Sequence, residues 1–413
     1  MNDIPKPIDF LPNQKVSPFS GGDLEGAKNV RIKSGVDLSG ANSLRLQQLL
    51  STREHLLKAR TQKIHFAPAI LFQNDKPVFF PKTINVIQGK AGVHKSRLAE
   101  TICASLLKRP GTNRDLLGFK TEVLKYYNVC YVDTERNLSD QLPYALQQIQ
   151  LKAGFNMEDT VPNFDCVSLL EFSREERFEV LDEYLEHIRN NSNQHTFIVL
   201  DVITDCVFNF NDARDSMKLI DMMNRSINRY DITFLCLIHE NPGSIDKARG
   251  HLGTELINKA STVIQVSFED CHPERSEGTK GRTSSLIKIS YLKCRATVRH
   301  EPFFAEYSDY EKGLVLADAE TVTNINAQNL EFNSLLEMLW LILKDGGMSR
   351  KNLYPILKDE LFIKERTLDN RINKIIKQTI PIETPEKEIF YLTKTAKGQE
   401  MIYTIIPLNS SKN

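Results

Sequence analysis

GKAGVHKS, residues 89–96, lies between TINVIQ (83–88) and SRLAETICASLL (96–107). The first flank is a short β-type run and the second has apolar residues at helical spacing, so the segment predicts strand, loop, helix. The loop nearly fits G-x-x-x-x-G-K-[ST]. Gly89, Lys95 and Ser96 are in register, but His94 stands where a second glycine is expected. In such a loop, backbone N–H groups at a helix N-terminus converge on phosphates, favoured by the helix dipole. The candidate phosphate-binding residues are Gly89, Lys90, Ala91, Gly92, Val93, His94, Lys95, Ser96 and Arg97. Gly89 and Gly92 are expected to supply the unusual backbone angles. Glycine at position 94 would let the backbone approach the phosphates, so histidine there must point its ring away or lie beside a phosphate.

Working outward, YNVCYVDTERN (127–137), HTFIVLDVITD (195–205) and TFLCLIHEN (233–241) are further apolar runs ending in polar residues. STVIQVSFE and SLIKISYLK follow. Helical stretches separate the earlier runs, among them LSDQLPYALQQIQLKAG and DSMKLIDMMNRSINRY. Near-continuous apolar strands alternating with helices imply an α/β fold with a mostly parallel sheet covered on both faces. The last two runs are close in sequence and are expected to form an antiparallel extension, joined by the polar, mobile loop EDCHPERSEGTKGR. VFFPKTINVIQ is read as one strand, following AILFQ and the turn NDKP.

Ligands bind at the carboxyl ends of strands in open parallel sheets. That edge would present the loop, Glu135, Asp201 and His239 together. Lys95 would reach the β- and γ-phosphates of ATP, and Ser96 and Asp201 would hold Mg²⁺. Glu135 is placed to activate water.

This order of motifs, continuing through RGHLGTELINKASTVIQV and LIKISYLKCRAT, resembles the RecA-like P-loop ATPase core over about residues 69–318. It is most similar to the branch of hexameric replicative helicases that includes the RepA-type helicases of plasmids. The resemblance implies that Glu135 is the catalytic base and that His239 senses the γ-phosphate. It also implies a K-x-R motif, Lys293-Cys294-Arg295, reaching a neighbouring subunit's nucleotide, and hence a ring-shaped homo-oligomer. Lys90 is a feature shared with ParA/MinD-like ATPases, but those usually carry the loop near the N-terminus and lack a late K-x-R. A small-molecule kinase has no recognisable acceptor site or lid here.

Lys+Arg and Asp+Glu each total 53, so the chain is no polycation, and a nucleic-acid surface must be a local patch. Lys247 and Arg249, in ENPGSIDKARGHLGTE, are candidates to contact DNA, single-stranded in a ring channel by the resemblance. Past Asn324, SLLEMLWLILKDGG, SRKNLYPILKDEL and ERTLDNRINKIIKQ read as three helices and IETPEKEIFYLT as a hairpin, the order of a winged helix-turn-helix. Residues 344–377 carry nine Lys/Arg against five Asp/Glu. Arg366, Asn370, Arg371 and Lys374 on the third helix suit phosphates and base edges. Protein contacts are the alternative use of such a module.

The expected organisation is a flexible leader (1–40), a helical segment (41–68), the ATPase domain (69–320) and the winged helix (328–400). The helical segment would pack on the main domain or grip a neighbouring subunit. The N-terminus has no apolar signal region and no run reaches membrane-span length, so the expectation is a cytoplasmic protein without a membrane partner. Seven dispersed cysteines with no CxxC pair fit reduced, buried thiols. Two functions stand open: an ATP-driven motor on DNA, and a nucleotide-dependent switch that binds DNA or a protein without translocating.

Overall fold

The computed structural model describes residues 39–122, 126–241, 247–269 and 286–408. Residues 1–38 of the expected leader, most of the loop around 270–285 with Cys271, and residues 242–246 lie outside them. The chain divides into two units, Met1–Phe66 and Ala67–Asn413. The first contributes helix α1 (Ser39–Ala59), whose Leu44, Leu46, Leu49 and Leu56 are exposed.

The second unit opens with β1 (Leu71–Gln73) and β2 (Lys76–Phe79), then β3 (Ile84–Gly89) and α2 (Lys95–Leu107). The run expected as one strand is thus two. It breaks at Pro81 and at Lys82, which takes a φ of 58°. Proline removes the ladder donor there. β1 and β2 join β4 (Phe119–Lys120) in a small antiparallel sheet.

Next come β5 (Asn128–Asp133), α3 (Gln141–Lys152), β6 (Phe164–Ser168), α4 (Arg177–Asn191) and β7 (Thr196–Asp201). They are followed by α5 (Ala213–Tyr230), β8 (Ile232–His239), α6 (Gly250–Lys259) and β9 (Thr262–Glu269). β10 (Leu286–Cys294), β11 (Phe303–Ser308) and β12 (Gly313–Leu316) complete a nine-stranded sheet of order β12-β11-β10-β9-β3-β8-β7-β5-β6. The six strands from β9 to β6 run parallel, and β10 to β12 are antiparallel, as expected for β9 and β10. This large, mostly parallel sheet in a mixed α/β fold is the fold class expected from the sequence.

Strand residues alternate between two apolar layers, the period-2 consequence of the pleat. Ile87, Tyr131 and Val199 pack with Leu98 and Ile102 of α2 and Ile149 of α3. Val86, Cys130, Val132, Ile198 and Leu200 pack instead with α4, α5 and α6 through Leu181, Leu219 and Leu256. Cys103, Cys130, Cys206 and Cys236 are buried, and burial pushes the Cys206 thiol up to about 12. Cys166 on the edge strand β6 is exposed, unlike the buried set expected.

The C-terminal elements are α7 (Ala319–Leu343), β13 (Met348–Ser349), α8 (Arg350–Leu361), α9 (Glu365–Lys377), β14 (Pro381–Glu383), β15 (Ile389–Lys397) and β16 (Glu400–Pro407). α7 starts about fifteen residues before the apolar run that signalled it, capped by Asp318 accepting from the Thr321 N–H. The helices and a four-stranded antiparallel sheet bury their own cluster, centred on Leu335, Leu339, Leu353, Leu368 and Ile372. No helix among the described residues is long and apolar enough to cross a membrane.

Candidate active site

The register of the sheet places the site. Gly89, ending β3, lies beside His239, ending β8, and Asp133, ending β5, lies beside Asp201, ending β7. β8 sits between β3 and β7. His239 is therefore poised between the loop and the aspartate.

The loop turns on three backbone demands. Gly92 has a φ of +79°, and its absent Cβ would meet nothing. Gly89 has an ordinary φ; a Cβ there would fall 2.3 Å from the Val266 carbonyl oxygen. Gly89 is thus required by close approach to β9 rather than by its angles, contrary to expectation. The third demand falls on His94, with φ 67° and ψ 28°. That left-handed conformation is why glycine suits this position, and it costs another residue roughly 1–2 kcal/mol, although histidine is among the side chains enriched there. The His94 ring turns away onto Tyr307, stacked at 5.3 Å and 13°, and meets Phe268 edge-on at 6.0 Å. Burial, then Arg97, holds its pKa below the usual imidazole value. Lys90, Ala91 and Gly92 are exposed, and Val93 is buried against the core.

Lys95 is buried and folds back into the hollow of the loop. Its ammonium donates to the Gly89 and Lys90 carbonyls at 3.1 and 2.8 Å and lies 3.2 Å from His239 Nδ1. Burial lowers its pKa, against the pull of Asp201, Glu135 and Glu240. Ser96 Oγ donates to Asp201 Oδ1 at 3.2 Å. This hydroxyl and carboxylate are hard oxygen donors of the kind Mg²⁺ takes together with phosphate oxygens. No group of three or more His, Cys, Asp or Glu among the described residues could hold a metal by itself. Glu135 is half exposed, with Oε1 4.0 Å from His239 Nε2. Partial burial, then Asp205, Asp201 and Asp133, raises its pKa, the direction that suits a base.

Beneath these groups is a charge network that motif spacing did not reveal. Asp201 Oδ2 accepts from the Tyr131 hydroxyl at 2.6 Å and from Arg136 Nη2 at 2.8 Å. Arg136 also faces Asp133 at 3.5 Å and Glu100 at 3.6 Å. Glu100, fully buried in α2, pairs with Arg97 at 2.8 Å and faces Lys152 of α3 at 3.9 Å. Burial raises its pKa, against Arg97, Lys152 and Arg136. The signal for Glu100 was a lone carboxylate inside the apolar run RLAETICASLL. A second buried carboxylate, Glu240, accepts from Gln88 and Gln265 at 2.9 and 2.7 Å. The Glu240 N–H donates to Gly89 O, and the Arg249 N–H to His239 O, which ties the base of the 240–249 loop to both strand tips.

The other candidates lie elsewhere. Cys294 pairs with Thr262, and Thr262 with Asn85, four residues before Gly89. Lys293 and Arg295 are thus at the far edge of the sheet, about 13 Å along the strand from the loop. Lys293 Nζ donates to the Ile257 and Asn258 carbonyls at 2.6 and 3.1 Å, and Arg295 also donates to Asn258 O. Both cap the C-terminus of α6, where cations are favourable. Arg249 is exposed and lies over the Phe210 ring at 4.8 Å; Lys247 is exposed. On α9, Arg366 and Asn370 are exposed and Lys374 is half-buried. Arg371 is not on that face: it is buried and pairs with Glu331 of α7 at 2.9 Å.

A strand–loop–helix turn beside carboxylates at neighbouring strand tips, on a mostly parallel sheet, is an arrangement that can hold a phosphate group. No family model and no curated protein matches the chain. Similar solved structures include a RadB recombinase, at 14% identity over 58% of this chain and 92% of that one, with a TM-score of 0.38. FlaH from Methanocaldococcus jannaschii shares 14% over 58% and 91%, with a TM-score of 0.40. A KaiC-like protein from Pyrococcus horikoshii shares 15% over 58% and 91%, also at 0.40.

Proposed function

We propose that the protein is a RecA-like ATPase that binds and hydrolyses ATP and acts on DNA as a helicase-like or replication and mobilisation motor of a mobile element. The observation that carries the ATPase reading is the convergence of Lys95, the Ser96–Asp201 pair, Glu135 and His239 on one sheet edge. Lys95 leaves its carbonyl partners for the β- and γ-phosphates, and the loop N–H groups hold the rest of the triphosphate. Mg²⁺, held by Ser96 and Asp201, would neutralise phosphate charge when bound. Tyr131 and Arg136 fix the Asp201 carboxylate. Glu135 orients and deprotonates water, and His239, within reach of Lys95 and Glu135, reports the γ-phosphate. Lys293 and Arg295 complete a neighbour's site in a ring, a role favoured by their distance from the chain's own loop.

The DNA part rests on local charge. Lys247 and Arg249 would contact a single strand, and the C-terminal elements would act as a winged helix presenting Arg366, Asn370 and Lys374. The hydrogen bond from Lys394 of β15 to Asn373 of α9, at 3.0 Å, supports one continuous face of helix and hairpin. The second reading, a slow nucleotide-dependent switch, is favoured by the strained non-glycine residue at position 94.

The test is steady-state ATP hydrolysis by wild type and Lys95→Ala, with and without single-stranded DNA. Turnover that rises with DNA and vanishes in the variant supports the motor. Tight ATP binding with negligible turnover in either condition transfers the assignment to the switch. Absence of binding ends both.

A further inference from the structure

We propose that Tyr307 and Phe268 form a clamp that holds residue 94 in the shape of a glycine, so that this loop is kept competent for phosphate by side-chain packing. The inference rests on the nucleotide reading of the loop. His94 is the residue immediately before α2, and its carbonyl accepts the first helical bond, from the Leu98 N–H at 3.1 Å. Its backbone angles therefore set the direction of the Lys95 and Ser96 amides. Glycine enters the left-handed region without cost, whereas histidine left to itself favours other wells.

What holds His94 there is the surroundings of its ring. Tyr307 of β11 stacks on one face at 5.3 Å, nearly parallel, and Phe268 of β9 closes the side at 6.0 Å and 87°. Offset-stacked and edge-to-face geometries are the favourable ones for ring pairs. Both anchors belong to firmly paired strands: Tyr307 lies opposite Leu314 of β12, and Phe268 opposite Ile287 of β10. Val93, buried beside Gly89, pins the loop on the same side. β11, a strand of the antiparallel extension that carries none of the proposed chemistry, thereby supports the loop together with the end of β9. Tyr307 and Phe268 are positioning residues; neither needs to touch the nucleotide.

The clamp makes a non-additive prediction. ATP affinity is measured in the presence of Mg²⁺ for the full chain as wild type, Tyr307→Ala, Tyr307→Phe, His94→Gly and the Tyr307→Ala/His94→Gly pair, with Lys95→Ala as control. Tyr307→Ala should weaken binding several-fold, up to about tenfold. Tyr307→Phe should keep it, and Tyr307→Ala should cost nothing further once residue 94 is glycine. Rescue by His94→Gly is the readout a merely structural tyrosine would not give. Phe268→Ala, at a 42% exposed ring, repeats the test without removing core and covers the case in which Tyr307→Ala does not fold. Equal losses in the histidine and glycine backgrounds, or no loss in either, overturn the clamp while leaving ATP binding intact. ATP binding that is absent, or that survives Lys95→Ala, overturns the nucleotide reading and the clamp with it.

Discussion

The Lys95 ammonium lies 3.2 Å from Nδ1 of His239. An ammonium can only donate, so Nδ1 accepts and the imidazole proton is on Nε2, facing Glu135 at 4.0 Å. The pKa of His239 is lowered from 6.5, by burial first and then by Lys95 and Arg249. A histidine whose folded pKa lies below its unfolded value contributes stability that is full above pH 6.5 and is lost as pH falls through the folded pKa. The His239 imidazole should titrate below 6.5 in a proton NMR series. It should titrate higher in Lys95→Ala, where the neighbouring positive charge is gone. An unchanged titration would mean that the ammonium does not act on the ring in solution.

Arg136 neutralises the carboxylates around the proposed metal position. It bonds Asp201 at 2.8 Å and faces Asp133 and Glu100, both buried. Removing one partner of a buried ionic cluster costs about 3–5 kcal/mol, because the remaining charges stay buried. Arg136→Met should lose that much in urea unfolding, and Glu100→Gln added to it should restore part of the loss. A change below about 1 kcal/mol would show that water already screens the cluster.

The two loop glycines should fail differently. At Gly89 a Cβ would press on the Val266 carbonyl at 2.3 Å, and backbone cannot swing aside as a side chain can. Gly89→Ala should therefore destabilise by about 1–3 kcal/mol and shift the loop off β9. At Gly92 the cost is only the left-handed backbone, about 1–2 kcal/mol, with nothing in the way. Thermal melts with ATP titrations on both variants separate these cases: Gly92→Ala should retain more of its ATP affinity.

The loop and the strands that carry its partners were legible because each is a dense local pattern, an apolar run ending in polar residues. β6, β11 and β12 were not, being short and half-exposed, with no strict alternation. β15 and β16 join across Lys397-Gly398-Gln399, a turn signal downstream of the hairpin that was read. The angle at His94 could not be read at all, because β9 and β11 impose it from far along the chain. Arg371 is a different case. It sits three residues after Leu368 and four before Ile375, both fully buried, so helical spacing already put it on the inner face of α9.

The inward placement of Arg371 gives a paired test of the C-terminal elements. Arg366→Ala, at an exposed side chain, should change thermal stability far less than Arg371→Ala and, under the DNA reading, reduce the dependence of log affinity on log salt by about one contact's worth. Arg371→Ala should instead lower the melting temperature, since it leaves Glu331 without its partner and buries a void between α7 and α9. Equal effects of the two on DNA binding, without loss of stability, would contradict the inward placement of Arg371.

Lys293 and Arg295 have a visible task within one chain, capping α6 at Ile257 and Asn258. If that is their whole role, Arg295→Ala should cost stability and leave per-site hydrolysis to follow folding alone. If Arg295 serves a neighbour, Arg295→Ala and Lys95→Ala are each inactive for a different half of the same interface. Under random mixing in a ring, about one interface in four then joins an intact loop to an intact arginine. Hydrolysis should accordingly appear when the two inactive proteins are mixed, peak near equal proportions, and be absent from each alone. A mixture as inactive as its components would restrict Arg295 to the helix cap and remove the argument for a ring.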